Sequence, residues 1–430
     1  MTAPPDRGAL AAIRQAAQSL DSETEALLAR LVRHRSLLGQ EQSCLADMAE
    51  VYAELGLEPR RIAVDEAALA AHPGFSPPLI GYAGRDPVVA IHTPASGYGR
   101  SLMLNGHVDV VPEGPAELWT TPPFDPHIRS GRMFGRGAAD MKAGIAAYVM
   151  AFKAIRLAGL RPAGVVQMAA VIEEECTGNG ALAVMQALPA PDACVIPEPG
   201  PGYSALYTAE IGVVWAWVTV TGRPAHVRDM QAGVNAIEAA TVLAAAFKPY
   251  ELDMNRGEHR HPAFAAHNHP INVNFGTIEG GEWNSSVPTR ARIGMRVGVM
   301  PGRSAREVTR DIERLVHDAS VEMRARGAVV AVEFKGFVAD GCVFPPDQPI
   351  SRLVAECYET ETGEALRHYA APALTDARFY PLYQGTQATC FGPDSENIHG
   401  IDESVGLESL HRTTRVLAAM IAQWCGVEAG

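Results

Sequence analysis

A histidine and an aspartate stand one residue apart where an apolar run of the sequence ends. His107 and Asp109 close the segment LMLNGHVDVV, whose pattern is typical of a buried strand, so both side chains are expected on one face. Burying an imidazole and a carboxylate without partners costs several kcal/mol. The pair therefore either satisfies itself or serves a group that lies between it and the rest of the protein.

Further acids and a second histidine follow other predicted strands or turns. Asp140 lies in GRGAADMKAG, three glutamates end VVQMAAVIEEE, Glu198 follows ACVIP, and His399 follows TQATCFG through a short loop. Carboxylates packed together need a compensating cation. Carboxylates with imidazoles suit zinc, cobalt or manganese, and a bridging carboxylate suits a pair of ions. The residue types therefore predict a divalent metal site.

Each of these features also has a simpler explanation. An isolated H-x-D pair is commonly a structural hydrogen bond, consecutive glutamates commonly form a solvated surface, and a single histidine such as His399 is commonly structural. The simpler explanations do not account for the joint occurrence at successive strand ends. The carboxyl ends of parallel strands share one edge of a sheet, and ligand crevices form there.

The elements that must position these residues alternate between strands and helices. After a polar start, two helices are predicted between about residues 22 and 57. Strands are predicted in PVVAIHT, SLMLNGHVDVV, VVQMAAVIEEE and ACVIPEP, with the long helix AGIAAYVMAFKAIRLAG between two of them. This alternation predicts an α/β fold with a mostly parallel sheet flanked by helices.

The pattern changes near Glu210. Residues 211–338 follow the order β-α-β-β-α-β, beginning with the alternating strand IGVVWAWVTVTG, and this order is typical of a ferredoxin-like α+β unit. We therefore predict a discontinuous catalytic domain, 1–210 and 339–430, with an inserted domain at 211–338.

Bulk composition excludes several classes of protein. The chain has 430 residues and a formal net charge of -13, which argues against binding to a phosphate backbone. No apolar run reaches the roughly 18 residues of a membrane span, and we expect no secretory signal. The seven cysteines are scattered without a C-x-x-C motif, so we expect a reduced, cytoplasmic protein without a disulfide framework.

Longer motifs give the chain a family resemblance. NGHVDVVPEG, WTTPPFDP and GRGAADMKAG are together similar to the first signature of the zinc-dependent M20 metallopeptidases and deacylases, and VIEEECTGNGAL is similar to the second. VTVTGRPAHVRDMQAGVNAIEAA resembles the start of the family's lid domain, while TDARF and GPDSENIHGIDESV resemble its C-terminal signatures. The resemblance covers nearly the whole chain after about residue 25, with the acetylornithine deacetylase branch fitting best. It implies a zinc-exopeptidase-like catalytic domain and a lid that serves dimerisation.

The resemblance also implies roles for individual residues. It predicts a site for two divalent ions, zinc with cobalt or manganese as alternatives, whose ligands are His107 and Glu198 on one ion, Glu175 and His399 on the other, and Asp140 on both. Asp109 is expected to orient the His107 ring. Glu174 is expected to act as the general base toward water and then to protonate the leaving amine. The family usually has Asp-Glu-Glu where this chain has three glutamates, so an error of one residue would exchange these roles.

The lid and the C-terminal motif supply the remaining expected residues. His226 in GRPAHV corresponds to a lid histidine that stabilises the oxyanion from the partner subunit, which implies a homodimer formed through the lid. Asn284 and Arg378 correspond to substrate contacts.

Two departures from the family pattern lie on the substrate side. The lid strand of the family often has an arginine four residues before the Pro of a Pro-Gly turn, where this chain has Val297 with Arg296 beside it. One residue changes the face of a strand, so either a bulge restores Arg296 as a substrate contact or the contact differs. Ala373-Leu374 replaces a usual Gly pair. We therefore expect the metal chemistry to be kept and the substrate to be unusual.

Three hypotheses about function follow. The first is a metal-dependent amidohydrolase acting on an N-acyl amino acid or a related small molecule. The second keeps the hydrolytic site but changes the substrate, to give a dipeptidase or carboxypeptidase, a deformylase, or a deaminase of an aromatic or heterocyclic amine. The third is an inactive metal-binding homologue, against which the presence of Glu174 argues, because such a protein could lose this base freely.

One histidine-rich loop stands apart from these motifs. His259, His261, His267 and His269 could hold a third metal, but no clustered carboxylate or cysteine accompanies them. We expect structural or substrate-pocket roles for this loop.

Overall fold

The computed structural model describes residues 5–430, so residues 1–4 of the predicted catalytic domain lie outside the described part of the chain. Its α-helices are α1 (Arg7–Ser19), α2 (Asp21–Val32), α3 (Gln42–Glu54), α4 (Glu66–Leu69), α5 (Lys142–Leu157), α6 (Asn179–Ala187), α7 (Ala236–Met254), α8 (Ala305–Ala325), α9 (Pro349–Thr362), α10 (Phe379–Tyr383) and α11 (Leu407–Cys425). Its strands are β1 (Pro59–Arg61), β2 (Val88–His92), β3 (Leu102–His107), β4 (His127–Arg129), β5 (Arg132–Phe134), β6 (Leu160–Pro162), β7 (Val166–Val171), β8 (Ala193–Ile196), β9 (Gly200–Pro201), β10 (Ala205–Glu210), β11 (Gly212–Thr221), β12 (Val273–Gly280), β13 (Arg290–Val299), β14 (Val329–Glu333), β15 (Val338–Ala339), β16 (Cys342–Val343), β17 (Arg367–Ala371), β18 (Gln387–Cys390), β19 (Asp394–Glu396), β20 (Ser404–Gly406) and β21 (Val427–Ala429).

The larger unit is built on a six-stranded sheet in the order β1-β2-β7-β3-β8-β18. The last four strands run parallel, while β1 and β2 pair antiparallel at one edge. The strands β3, β7 and β8 are buried along their whole length, as parallel strands covered on both faces must be. The predicted α/β layer is confirmed.

Close packing of helix α5 beneath the sheet explains a glycine inside a central strand. Gly106 lies in β3, and a Cβ at this position would come within 2.7 Å of Ile145 on α5. The Asn-Gly pair before His107 therefore allows the helix to approach the strand rather than forming a turn.

Helix α1 was not predicted, because its sequence appeared merely polar. Asp6 caps its N-terminus by accepting a hydrogen bond from the Ala9 amide, and Ile13, Ala16 and Ala17 form its buried face against the rest of the unit. Small alanines supply most of this face, so the segment has a low mean hydropathy although its pattern is amphipathic.

The inserted unit has the predicted ferredoxin-like order. Its antiparallel sheet runs β12-β13-β11-β14, with β15 also pairing with β11, and α7 and α8 pack on one face. Strand β11 begins two residues after β10 ends, and β15 returns beside it, so the chain enters and leaves this unit at one place. The domain limits at 210/211 and 338/339 stay a prediction. Within residues 5–430, no helix is long and apolar enough to cross a membrane.

Candidate metal centre

The carboxyl ends of neighbouring parallel strands bring the predicted site residues together. Strand β3 ends at His107, β7 ends just before the three glutamates, and β8 ends just before Glu198. Ligand atoms from three overlapping sets lie within 4.8 Å of one another, namely His107 with Glu174 and Glu175, His107 with Asp140 and Glu198, and Asp140 with Glu175 and His399. Asp140 is common to the last two sets, which is the position that a bridging carboxylate needs.

His107 is the buried centre of this cluster. Its Nε2 atom lies 3.1 Å from Asp140 Oδ1 and 3.9 Å from a carboxylate oxygen of both Glu174 and Glu198. Its Nδ1 atom lies 2.9 Å from the backbone carbonyl oxygen of Asp109. A carbonyl only accepts, so Nδ1 carries a proton, which leaves Nε2 as the ring atom that could ligate a cation among the carboxylates.

The predicted orientation of His107 by the Asp109 carboxylate needs correction. The carboxylate oxygen Oδ1 lies 3.7 Å from Nδ1, beyond hydrogen-bonding distance, and the backbone carbonyl makes the contact instead. The Asp109 carboxylate accepts from the amides of Glu174 and Glu175, at 3.3 and 3.2 Å. Because the strand ends at His107, the alternation that suggested a side-chain pair does not continue to Asp109. Asp109 therefore positions the glutamate turn through its side chain.

The three glutamates separate into two directions. Glu173 has a positive φ of 61° and turns away from the cluster to form an ion pair with Arg85, at 2.7 Å. Glu174 and Glu175 turn toward it, with Glu175 3.1 Å from His399 Nε2. This arrangement supports the predicted register, in which Glu173 takes the place of the family's Asp.

Arg85 and Glu173 belong to a buried network that the sequence did not point to. Arg85 also forms an ion pair with Glu41, and Glu173 accepts hydrogen bonds from Tyr82 and Thr177. Both charged partners of Arg85 are fully buried. The network fixes the turn that carries Glu174 and Glu175.

A second ion pair that the sequence did not predict holds the turn that carries Asp140. Glu403 accepts hydrogen bonds from the amides of Ala139 and Asp140, both at 3.0 Å, and forms a buried ion pair with Arg136 at 2.5 Å. The peptide bond from Asp140 to Met141 is cis. Glu403 lies in the motif GPDSENIHGIDESV, but the amides that donate to it are more than 260 residues away in sequence. The motif alone therefore did not indicate this contact.

The electrostatics of the cluster fit a divalent cation. Burial, followed by repulsion from neighbouring carboxylates, holds the pKa values of Glu174 and Glu198 well above their usual range. Glu198 Oε1 is buried without a hydrogen-bond partner in the described residues. The charge of Glu175 raises the pKa of His399 to about 11. Positive charge is what such a buried acidic cluster requires, and its oxygen and imidazole donors are typical ligands of zinc and manganese.

The predicted lid residues lie away from the cluster in a single chain. His226 and Asn284 are both exposed, in neighbouring loops joined by a bridge between His226 and Ser286. The Arg228 amide donates to His226 Nδ1 at 3.0 Å, which places the ring proton on the exposed Nε2 atom. His226 thus presents a hydrogen-bond donor to its surroundings.

The predicted substrate arginines differ in their placement. Strand β13 pairs with β11 without a register shift, so no bulge in β13 changes the face of Arg296. Val297 is buried beneath α7 and α8, and Arg296 therefore lies on the opposite face of the sheet. Arg378 is 1% exposed, and its terminal nitrogens donate to the carbonyls of Thr375 and Thr177, at 2.6 and 3.1 Å. Arg378 therefore supports two loops of the centre, and this position does not favour direct substrate contact.

The histidine-rich loop makes separate contacts. His269 pairs with Glu251 at 2.8 Å, His259 lies 3.5 Å from Asp253, and His267 packs near Phe264 and Tyr369. In the described chain these histidines do not form one of the groups that could hold a metal.

Comparison with known proteins agrees with this fold and site. The sequence profile of peptidase family M20/M25/M40 matches residues 103–423. The chain is 30% identical over 325 residues to a succinyl-diaminopimelate desuccinylase of Sphingopyxis alaskensis, a match covering 74% of this chain and 79% of that protein. It is 25% identical over 346 residues to an N-formyl-4-amino-5-aminomethyl-2-methylpyrimidine deformylase of Halalkalibacterium halodurans, covering 76% and 79%. A solved dipeptidase of Saccharomyces cerevisiae superposes with a TM-score of 0.77 at 13% identity, covering 97% of this chain and 98% of that chain.

The strand-end cluster and the inserted lid define a metal-dependent hydrolase of carbon–nitrogen bonds. Within that class, the chain belongs to peptidase family M20/M25/M40. The predicted family and enzyme class are thereby confirmed.

Proposed function

We propose that the protein hydrolyses the amide bond of an N-acyl amino acid or a closely related small molecule, using two divalent ions per chain. The observation that carries this proposal is the pair of ligand sets that share Asp140. We assign His107 and Glu198 to one ion, Glu175 and His399 to the other, and Asp140 to both. Zinc suits this donor set, with cobalt or manganese as alternatives.

Bound ions would polarise the amide carbonyl and lower the pKa of the attacking water. Glu174 takes the proton of that water and later gives it to the leaving amine. The carboxylate of Glu174 lies beside His107, and Asp109 holds its backbone amide. Burial raises the pKa of Glu174, which suits a group that must hold the proton between these two steps.

We assign the oxyanion contact to His226 of a second subunit. The Nε2 atom of His226 carries a proton and is exposed, yet no acid of the cluster contacts it within the described chain. If the lids dimerise, His226 of the partner subunit contacts the substrate bound at the metal cluster. Asn284, in the adjoining loop, then faces the same substrate.

An exposed apolar surface on the lid supports dimerisation. Among residues 5–430, strand β12 pairs only with β13 and has no strand on its other edge. Exposed apolar side chains lie on β12 and on α7. We call this the lid edge surface and define it by Ile237, Val242, Phe275 and Ile278, which are 36 to 65% exposed. A free strand edge with exposed apolar side chains beside it is a template for pairing with another chain.

Relatives support two substrate classes. The desuccinylase relative supports removal of an acyl group from an amino acid. Arg296 of the lid, which has no carboxylate partner in residues 5–430, is the candidate for binding the substrate's carboxylate. The deformylase relative supports a second candidate, removal of a formyl group from an amine on a heterocyclic ring. A cytoplasmic location stays a prediction.

The decisive experiment combines metal analysis with one substitution. Purified protein should contain about two zinc, cobalt or manganese ions per chain, and N-acyl amino acids, dipeptides and formylated amines should be assayed on the metal-loaded enzyme. Glu174→Gln should reduce turnover by at least about 1,000-fold while metal content stays nearly unchanged. Absence of bound metal, or activity that survives the substitution, would exclude this mechanism.

A further inference from the structure

The lid sheet has an uncovered face that contains two tryptophans. Val214, Ala216, Val218 and Val220 of β11 lie in the core beneath α7 and α8. Side chains alternate along a strand, so Trp215 and Trp217 project from the opposite face. Neither helix of the lid covers that face.

A cavity of about 180 Å³ opens on this face. Trp215, Trp217, Asn274, Gly276 and Arg296 are among its lining residues. Its walls are almost entirely apolar. A cavity of about 150 Å³ with apolar walls holds a benzene ring, so this one has the size for a single aromatic ring.

Glycine is required in the floor of the cavity. A Cβ at Gly294 would lie 2.6 Å from the indole of Trp217 and 2.5 Å from Thr277 Oγ1. Because Gly294 has no side chain, the Trp217 ring can lie against strand β13 at this position. Its indole N–H is buried and has no hydrogen-bond partner among the described residues.

Arg296 enters the same cavity without a carboxylate partner in residues 5–430, and burial lowers its pKa. Arg292, two pleats away on the same strand face, has two partners, since it lies 3.6 Å from Glu333 and over the Trp217 ring at 4.3 Å. Of these two arginines, Arg296 is therefore the one whose guanidinium is available to bind an anionic group.

Aromatic contacts connect this face to the metal centre. Trp215 meets Phe337 edge to face at 5.6 Å, and Phe337 lies 5.7 Å from the Arg378 guanidinium. Arg378 in turn donates to the carbonyl of Thr177, three residues beyond Glu174. At its Trp215 end, the aromatic face therefore borders the loops that carry the proposed catalytic residues.

We propose that Trp215 and Trp217 form a stacking platform for a flat aromatic ring of the substrate, beside the proposed substrate contact Arg296. This inference rests on the proposed amide hydrolysis and narrows its substrates to aromatic N-acyl compounds. Aromatic rings stack on indole faces, and a partly buried guanidinium without an ion-pair partner can bind a carboxylate through paired hydrogen bonds.

The test measures equilibrium binding in the Glu174→Gln background, so that hydrolysis does not consume the probe. N-acetyl-L-phenylalanine and N-benzoylglycine carry a ring in the amine and acyl parts respectively, and N-acetyl-L-alanine carries none. Calorimetry on zinc-loaded protein should give at least one ring probe about tenfold tighter binding than the alanine probe. Equal affinities for all three would overturn the proposal.

Substitutions then test whether the tighter binding of ring probes arises in this cavity. Trp217→Leu removes the platform, and Gly276→Leu fills the cavity, where an added Cβ has only Asn274 within 4 Å, at 3.5 Å. Both should reduce ring-probe affinity about tenfold and change alanine-probe affinity less than about twofold. Gly257→Leu is the matched control, because its added Cβ meets nothing within 4 Å and Gly257 is not among the lining residues. A ring preference that persists in Gly276→Leu would place the ring elsewhere.

The carboxylate contact is tested with N-acetyl-L-phenylalaninamide, which lacks the charge. Arg296→Gln should abolish the preference for acid over amide, while Arg292→Gln should leave it unchanged; the reverse result would contradict the assignment. Failure of the proposed function is distinguishable, because it appears as binding of these probes with no hydrolysis by the wild-type enzyme. Hydrolysis without ring preference would instead reject the platform alone.

Discussion

Individual carboxylates of the cluster are favourable when they bind a cation and destabilise the fold when they do not. Glu198 illustrates this, because it is 4% exposed and one of its oxygens has no partner in the described chain. A buried carboxylate of this kind destabilises the metal-free fold, since burial disfavours its charge. The same atom becomes favourable once it ligates a divalent ion, so metal affinity and metal-free stability should change in opposite directions.

Glu198→Gln tests this opposition. We expect the variant to bind less metal than wild type, while in chelator its melting temperature equals or exceeds that of the chelated wild type. Mass spectrometry of bound metal and thermal unfolding with and without chelator measure both quantities. Glu408→Gln, an exposed substitution on α11, serves as the control. A Glu198→Gln variant that melts well below wild type in chelator would contradict the argument.

Glu210 supplies a pH prediction outside the cluster. It is fully buried, accepts two hydrogen bonds from Thr375, and burial raises its pKa to about 8. The unfolded chain loses this proton near pH 4.5, so the folded protein binds more protons between about pH 4.5 and 8, and stability falls as the pH rises through that window.

Glu210→Gln should therefore flatten the pH dependence of stability. We expect the wild-type free energy of unfolding to fall more steeply than that of the variant, by up to about 1.4 kcal/mol per pH unit. Urea unfolding at pH 5, 6.5 and 8 measures the two slopes. Parallel slopes would show that Glu210 titrates alike in the folded and unfolded chains.

At the scale of elements, the strand ends were predictable and the supports of the turns were not. Apolar runs, each followed by acids or a histidine, located β3, β7 and β8 together with the cluster they carry. The ion pairs of Arg85 and Arg136 escaped prediction, because their partners are 44 to 267 residues away and no local pattern records them. The sequence likewise did not predict on which face of the lid sheet Arg296 lies, because this depends on which residues α7 and α8 cover.

The pair of Arg136 and Glu403 yields a prediction about the Asp140 turn. Glu403→Ala leaves a buried guanidinium unpaired and two amides without an acceptor, so we expect a loss of about 3–5 kcal/mol in the free energy of unfolding, together with reduced metal binding. Chemical denaturation and metal analysis measure these effects. The exposed pair of Glu408 and Arg412 is the comparison, where Glu408→Ala should cost less than about 1 kcal/mol. Comparable losses for both substitutions would remove the special role of the buried pair.

At the scale of the whole molecule, a single chain does not bring all the proposed site residues together. The proposed metal ligands come from one α/β unit, while His226 and Asn284 lie exposed on the lid and in none of the ligand groups. The lid edge surface leaves a strand edge free for a second copy. A twofold dimer that joins these edges would extend the sheet across both lids and place each His226 near the other subunit.

Subunit mixing decides between a shared and a self-contained site. His226→Ala and Glu174→Gln should each be nearly inactive alone, because each lacks one group of the reaction. After equimolar mixing and exchange, half of the dimers are hybrids, and one of their two sites combines an intact Glu174 with an intact His226 from the partner. Activity should therefore recover to roughly a quarter of the wild-type value. If His226 served its own chain, every site in the mixture would lack one of the two groups, and no activity would return.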